Sequence, residues 1–539
     1  MADGCTFTYR RRTPEASDLH RVVRTWFAAA VALMSERLGE DVRLPAFVRR
    51  AVLRYLDCGQ LAKGFCRFRC QDCGDDRLVA FSCKVRGMCP SCDGRRMAEE
   101  AAHLVDNVLP GVPYRQWVLT LPHWLRYRLA WDRSLRKAVL AIFVDVVSKF
   151  YVDRAEAAGL ADAKSGGLSV LHRFDSGLKS DVHWHLLFAD GVWAPATPRE
   201  KGTPGPLAFR RSAPLGEDDV PTALAAIQRR VWKLLRRRRI LRDDHDEQGE
   251  APDEFALAEP AMAALLKASL LGQSVVGPEG PKPSQERGPR PLVARRRSQN
   301  CAELAQFSLH ANSRVGELAR QGLEQMIRYL CRPALSARRV ELLEDGAVVR
   351  LELKSSWRDG TTHLLIPAAD FVLRLCALVP LPREATLHYH GVFAPASEWR
   401  GQIVTHTARP RVKKLPATLP TSVKSESPPP TSPEPEQPAP VATGRPRMLW
   451  HQLMARVFRI DALKCDCCGG RRKLIAAIAE GPVATKILRH LGLPVTAEGS
   501  LPIRAPPWED FGWAYGKTGT VDAVDEAPPE DLPFFDAEA

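Results

Sequence analysis

Asp181-Val182-His183-Trp184-His185-Leu186-Leu187-Phe188 is the stretch that decides the fold. In a β-strand, residues two apart face the same side, about 6.6–7 Å apart along the chain. His183 and His185 therefore aim their imidazoles at one point, which is what a divalent cation requires. Trp184 turns to the other side, into a core. Asp190-Gly191 follows as a hairpin signal. A second stretch, His388-Tyr389-His390, repeats the pattern ahead of Gly391-Val392, and spacing alone does not choose between the two.

Working outward, Tyr114–Leu121 and Leu168–Phe174 read as further strands. Apolar residues at three- and four-residue spacing predict helices over Leu19–Leu38, Leu44–Leu56, Met97–Val108, Leu135–Ala158 and Val315–Cys331. The last ends at Arg332-Pro333, because proline disfavours a helical residue before it. Val340–Lys354 reads as a hairpin around Asp345-Gly346. The expected fold class is α+β, an antiparallel sheet core flanked by helices. Before it comes a small cysteine-rich domain, and after it a C-terminal Cys-x2-Cys module.

The chain has 539 residues, 45% of them apolar and 26% charged. That balance excludes global disorder and a fibrous repeat. The net charge of +14 favours a polyanionic partner, nucleic acid first and an anionic membrane surface second. Neither a secretory signal nor an apolar run of about 20 residues is visible, so the expected location is the cytoplasm, associated with the nucleoid. A helix over Pro221–Leu241 carries Arg229, Arg230, Lys233 and the run Arg236 to Arg239; it reads as a solvated face or a phosphate contact, with Arg236 and Arg237 as candidates.

Fourteen cysteines are clustered, seven of them between Cys58 and Cys92. Clustering without a signal peptide points to metal rather than to disulfides. Cys70-x2-Cys73 and Cys89-x2-Cys92, fifteen residues apart, have the spacing of a structural zinc site closed by four thiolates. Cys58, Cys66 and Cys83 are then spare; either one replaces a ligand or they form a second site. Lys84, Arg86, Arg95 and Arg96 flank the second knuckle and are candidate phosphate contacts. Cys465-x2-Cys468 has no second pair nearby; either His451 or Cys467 completes a zinc site there, or the module binds no metal.

Several segments in order are similar to one family. "LSVLHRFDSGLKSDVHWHLLFADGVW" (Leu168–Trp193), "FSLHANSRVGELARQGLEQMIRYLCRP" (Phe307–Pro333), "WRDGTTHLLIP" (Trp357–Pro367) and "YHGVFAP" (Tyr389–Pro395) resemble the HUH-type rolling-circle transposases, closest to the insertion-sequence-91 and common-region branch. "FSCKVRGMCPSCDGRRM" (Phe81–Met97) resembles the N-terminal zinc-binding domain of that family. The resemblance implies an HUH nuclease core. Its two histidines, here His183 and His185, hold Mg²⁺ or Mn²⁺, and a helix-borne tyrosine, here Tyr329, becomes joined to the 5′ phosphate of single-stranded DNA. For the third ligand, Gln325 and His310 rank equally, with Glu324 behind. Arg328 and Arg332 are candidate DNA contacts, and Asp181 a support for His183. Position 325, one turn before Tyr329, holds glutamine and position 333 proline, so the helix offers one tyrosine. Strand exchange then requires a second subunit in a homodimer, repeated use of Tyr329, or another nucleophile.

The implied organisation is a helical and zinc-binding DNA-docking domain over 1–110 and a catalytic domain over 111–405, interrupted by an insertion at about 221–300. A Pro-rich linker follows over 406–447, then the Cys-x2-Cys module over 448–500 and an acidic tail over 501–539. The expected function is cleavage and rejoining of single-stranded element ends, with structural Zn²⁺ and catalytic Mg²⁺ or Mn²⁺. Two readings compete: a zinc-finger DNA-binding protein without catalysis, and a metal-dependent nuclease built on strand carboxylates such as Asp190.

Overall fold

A computed structural model describes residues 13–196, 206–241, 253–276, 295–298, 300–343, 346–354, 362–404 and 449–495, with backbone only for 295–298. The Pro-rich linker, the acidic tail and the Pro/Arg-rich part of the insertion lie outside the described residues.

The fold is mixed α/β, and every strand pairing among the described residues is antiparallel. The main sheet has eight strands. Along it run Leu387–Gly391, Gly166–Phe174, Ser180–Ala189, Tyr114–Thr120, Phe307–His310, Cys301–Leu304 and Arg295–Ser298; Arg314–Val315 also pairs with Tyr114–Thr120. Tyr114–Thr120 and Ser180–Ala189, hereafter the histidine strand, are central. They are largely buried on both faces because both faces are covered.

Register assigns the faces. His185 lies opposite Val118 and Val170, and His183 opposite Thr120 and His172. Opposed residues of an antiparallel pair share a face. The other face carries Trp117, Leu119, Trp184, Leu186 and Phe188, all in the larger core. The helix Arg133–Ala157 covers that side. Its N-terminus is capped by Asp132, which accepts from the Leu135 N–H at 2.8 Å. Tyr151 of this helix stacks on Phe188.

The first face is covered by the tyrosine helix, Arg320–Leu330. Leu323, Ile327 and Leu330 recur at helical spacing and are buried against Tyr114, Leu168, Val170 and Leu187. Each such side chain, fully buried, contributes roughly 1.5–3 kcal/mol. Arg320 ties the start of this helix to the chain following the helix Pro90–Asn107, donating to Leu109 O at 2.8 Å and Pro110 O at 3.2 Å.

Asp190-Gly191 does not close a hairpin. The next strand, Gly191–Pro195, pairs instead with Leu207–Arg211 in a separate two-stranded sheet. Asp190 is buried and held by Arg115, Arg314 and the Tyr151 hydroxyl, which turns the chain away from the sheet. A Cβ at Gly191 would collide with Arg210 O.

The basic helix, found at Asp219–Arg237, buries Leu224, Ile227, Val231 and Leu235 in the larger core with Phe307 and Leu309. It therefore lies on the face opposite His183 and His185. Arg236 and Arg237 are exposed there.

Candidate metal and tyrosine site

The two strands Gly166–Phe174 and Ser180–Ala189 form a hairpin, and its register brings a third histidine to the pair. His172 stands opposite His183. Its ring centroid lies 5.2 Å from that of His183 and 4.2 Å from that of His185. One ring nitrogen from each of His172, His183 and His185 lies within 4.8 Å of the others. His172 was not among the expected ligands. The Asp175-Ser176-Gly177 turn was the signal available: it announces the hairpin that folds His172 back onto His183.

Neighbours orient each ring. His172 Nε2 donates to Leu330 O, the last residue of the tyrosine helix, at 2.6 Å, which leaves Nδ1 as a lone pair. The Gln116 amide nitrogen meets His185 Nδ1 at 2.9 Å and its oxygen has no partner; turned over, the amide would accept the Nδ1 proton and leave Nε2 bare for a metal. Both inward nitrogens, His172 Nδ1 and His185 Nε2, are buried without a hydrogen-bond partner. His183 Nδ1 meets Asp181 O at 3.2 Å, with the Asp181 carboxylate at 3.5 Å and that carboxylate in turn paired with Arg126. Burial pushes all three imidazoles below their ordinary value, most strongly His172 and His185. Neutral rings with bare inward lone pairs fit a divalent metal. Three nitrogens suit Mn²⁺ better than Mg²⁺, which prefers oxygen.

Tyr329 is half-buried beside this group, its ring edge-on to His185 at 6.0 Å between centroids. The Arg332 guanidinium lies over the Tyr329 ring at 4.2 Å.

His310 shares the site face but sits two strands from the histidine strand, about 10 Å across the sheet. Its Nδ1 meets Cys301 Sγ at 2.9 Å. Gln325 is exposed, one turn before Tyr329 on the tyrosine helix. Glu324 is bound by Arg328 at 2.6 Å and by Arg456 at 2.9 Å, so Arg328 faces an internal carboxylate. Among the described residues, no carboxylate joins a cluster able to hold a metal, and Asp190 is engaged by two arginines.

His388 and His390 occupy the opposite face, because His388 pairs with Ser169 and His390 with Gly167. His390 Nε2 bonds Ser169 Oγ at 2.8 Å, and burial pushes the ring down to about 4. Its unfolded value is near 6.5, so the unfolded chain binds the proton first and stability falls as the pH drops from about 6.5 to about 4. The loss at the acid end should reach about 3 kcal/mol. Urea unfolding at pH 7 and pH 4 checks this: His390→Gln should show a smaller drop than the parent, and an equal drop would refute it.

The cysteines assort differently from the expected set of Cys70, Cys73, Cys89 and Cys92. Cys89 and Cys92 join Cys58 and Cys83, with Sγ–Sγ distances of 3.5–3.7 Å and all four buried. Cys70 and Cys73 join Cys465 and Cys468. The cause is the hairpin Gly64–Cys70 and Asp76–Ala80. Cys58 and Cys83 flank its base, whereas Cys70 and Cys73 form its tip, roughly 20 Å away over six residues of strand. The described cysteines form no disulfide. Cys66 joins neither group.

Around the buried cluster, Lys84 and Arg86 are exposed and Arg95 is half-buried. Arg96 is paired with Asp93 at 2.7 Å, and Arg86 donates to Glu384 O at 2.8 Å.

Comparison with known proteins agrees with the sequence resemblance. Residues 31–121 match the family described as "Transposase zinc-binding domain" and residues 166–400 the family described as "Putative transposase". A relative, the transposase for insertion sequence element IS801 of Pseudomonas savastanoi pv. phaseolicola, is 21% identical over 430 residues, covering 79% of this chain and 83% of its own. No solved structure matches the chain. No described helix is long and apolar enough to cross a membrane.

Proposed function

Because the chain belongs to the insertion-sequence-91 family of transposases and carries its N-terminal zinc-binding domain, we propose that it cuts and rejoins single-stranded DNA at element ends through Tyr329, on an HUH-type core. The observation that supports this reading is the convergence of His172, His183, His185 and Tyr329 on one sheet face beneath one helix.

His172, His183 and His185 hold the divalent cation through their inward nitrogens. A divalent ion held there would polarise the scissile phosphate and draw charge from the transition state. Tyr329 Oη attacks phosphorus and the bond to the 3′ oxygen breaks. The phenol proton passes to solvent, and the 3′ oxygen takes up a proton and leaves as a free hydroxyl. Attack by a 3′-hydroxyl on the tyrosyl phosphate reverses these steps and rejoins the strand, so the phosphodiester energy is conserved. Arg332, stacked on the Tyr329 ring, holds positive charge where the phosphate enters. Cys58, Cys83, Cys89 and Cys92 hold a structural zinc in the N-terminal domain, and Lys84, Arg86 and Arg95 beside it contact the DNA backbone. A second subunit, or a second use of Tyr329, completes strand exchange.

The test incubates the purified protein with labelled single-stranded element ends and Mn²⁺, followed by a denaturing gel. The parent should yield a protein-linked 5′ product, and Tyr329→Phe none. Persistence of the product in Tyr329→Phe would overturn the assignment and move the nucleophile to another tyrosine, such as Tyr389, which lies on the same sheet face.

A further inference from the structure

We propose that the protein holds a second structural zinc ion, bound by Cys70 and Cys73 of the N-terminal hairpin together with Cys465 and Cys468 of the C-terminal segment, so that one metal clasps two parts of the chain nearly 400 residues apart. The inference stands independently of the histidine site.

The four sulfurs form a compact group. Cys70 Sγ lies 3.5 Å from Cys468 Sγ, and Cys73 Sγ lies 3.6 Å from Cys465 Sγ. All four donor atoms fall within 4.8 Å of one another. Disulfides would need about 2.05 Å. Sulfurs placed tetrahedrally at about 2.3 Å from zinc stand about 3.8 Å apart, close to what is found.

The two pairs are built alike. Each is a Cys-x2-Cys followed by glycine at positive φ, Gly74 at 76° and Gly469 at 75°. In each, the glycine N–H turns back to the first cysteine carbonyl: Gly74 to Cys70 O at 3.2 Å and Gly469 to Cys465 O at 3.0 Å. A left-handed residue there closes a tight knuckle that presents both thiolates to one side. At Gly470 the Asp72 carboxylate lies where a Cβ would stand, so the two knuckles meet there.

The surrounding contacts bring the knuckles together. The strand Arg472–Ala479 pairs along Gly64–Cys70, with Cys70 opposite Arg472, and so extends the N-terminal hairpin to three strands. Arg77 and Arg472, both almost fully buried, lie beside the knuckles and pair with Asp466 and Asp75.

The C-terminal segment cannot hold its own fold by apolar burial. Leu474 and Ile475 are 56% and 55% exposed, and its buried apolar residues are few: Leu453, Ala462, Ala484 and Leu488, besides Cys465. Segments this poor in core draw their stability from a metal. The clasp has a route to the tyrosine helix, because Arg456 on the helix Trp450–Phe458 reaches Asp106 at 3.1 Å and Glu324 at 2.9 Å.

The test is metal analysis of the full-length protein, followed by cobalt substitution. Cys465→Ser/Cys468→Ser should lose one zinc per chain relative to the parent. Cys70→Ser/Cys73→Ser should lose the same one, and the fourfold variant no more than either. Cys58→Ser/Cys83→Ser should lose a different one. The conservative Cys468→His preserves a ligand at that position, so its cobalt spectrum should shift from an all-sulfur pattern toward one with a nitrogen. Unchanged zinc content in Cys465→Ser/Cys468→Ser, or an unchanged cobalt spectrum in Cys468→His, would overturn the proposal.

Discussion

His172→Ala should slow formation of the protein–DNA adduct about a thousandfold, equivalent to about 4 kcal/mol of transition-state stabilisation. The change removes a buried nitrogen that faces the other two histidines, and with it the bond to Leu330 O that joins the sheet to the end of the tyrosine helix. Two ligands would remain, so excess Mn²⁺ should recover part of the rate, which a purely structural defect would not allow. Gln325→Ala is the contrasting variant. Gln325 is exposed, so its rate should stay within about threefold of the parent, since surface changes of this kind cost little. Single-turnover rates on labelled single-stranded DNA, across a Mn²⁺ series, measure both. A normal rate for His172→Ala beside a large loss for Gln325→Ala would reassign the third ligand.

Glu384→Ala should destabilise the protein by about 3–5 kcal/mol, the cost of leaving buried charge uncompensated. Glu384 pairs with two arginines at once: Arg136, and Arg173 at 3.0 Å. The three side chains are only 5–10% exposed. Burial pushes Arg173 down to about 10, with Glu384 opposing the shift. Removing the carboxylate leaves two guanidinium groups facing each other without a counter-charge. The same residue accepts from Arg86 through its main-chain oxygen, so the network lies where the zinc-binding domain meets the neighbouring helix and main sheet. Urea unfolding should show the midpoint falling with the slope unchanged. Glu384→Gln should recover less than half of the loss, because the amide can accept hydrogen bonds but carries no charge. A loss below about 1 kcal/mol for Glu384→Ala would mean that water already solvates the two arginines.

Much of the site was legible because its signals are local. Two histidines separated by one residue share a face wherever the chain is extended, and Trp184 between them is buried on the other side as its position requires. The spacing of Leu323, Ile327 and Leu330 defines one buried helix face, and Pro333 limits how far the helix runs. The histidine pair at 388 and 390 could not be separated from the pair at 183 and 185 on these grounds, because both satisfy the same period. Only the pairing of His388 with Ser169 placed it on the far face. The hairpin expected at Asp190-Gly191 failed for a related reason: a buried carboxylate bound by Arg115 from a strand 75 residues earlier outweighed a local turn preference.

By itself, then, the chain's residue order settled which side chains within a single strand, helix or knuckle act together, since those periods follow from backbone geometry over a few residues. The third histidine, the partners of each cysteine pair and the docking of the last strand were decided only in three dimensions. Each depends on which strand lies beside which, and in what register. Burial of whole faces determines that, through contacts between residues far apart in the chain.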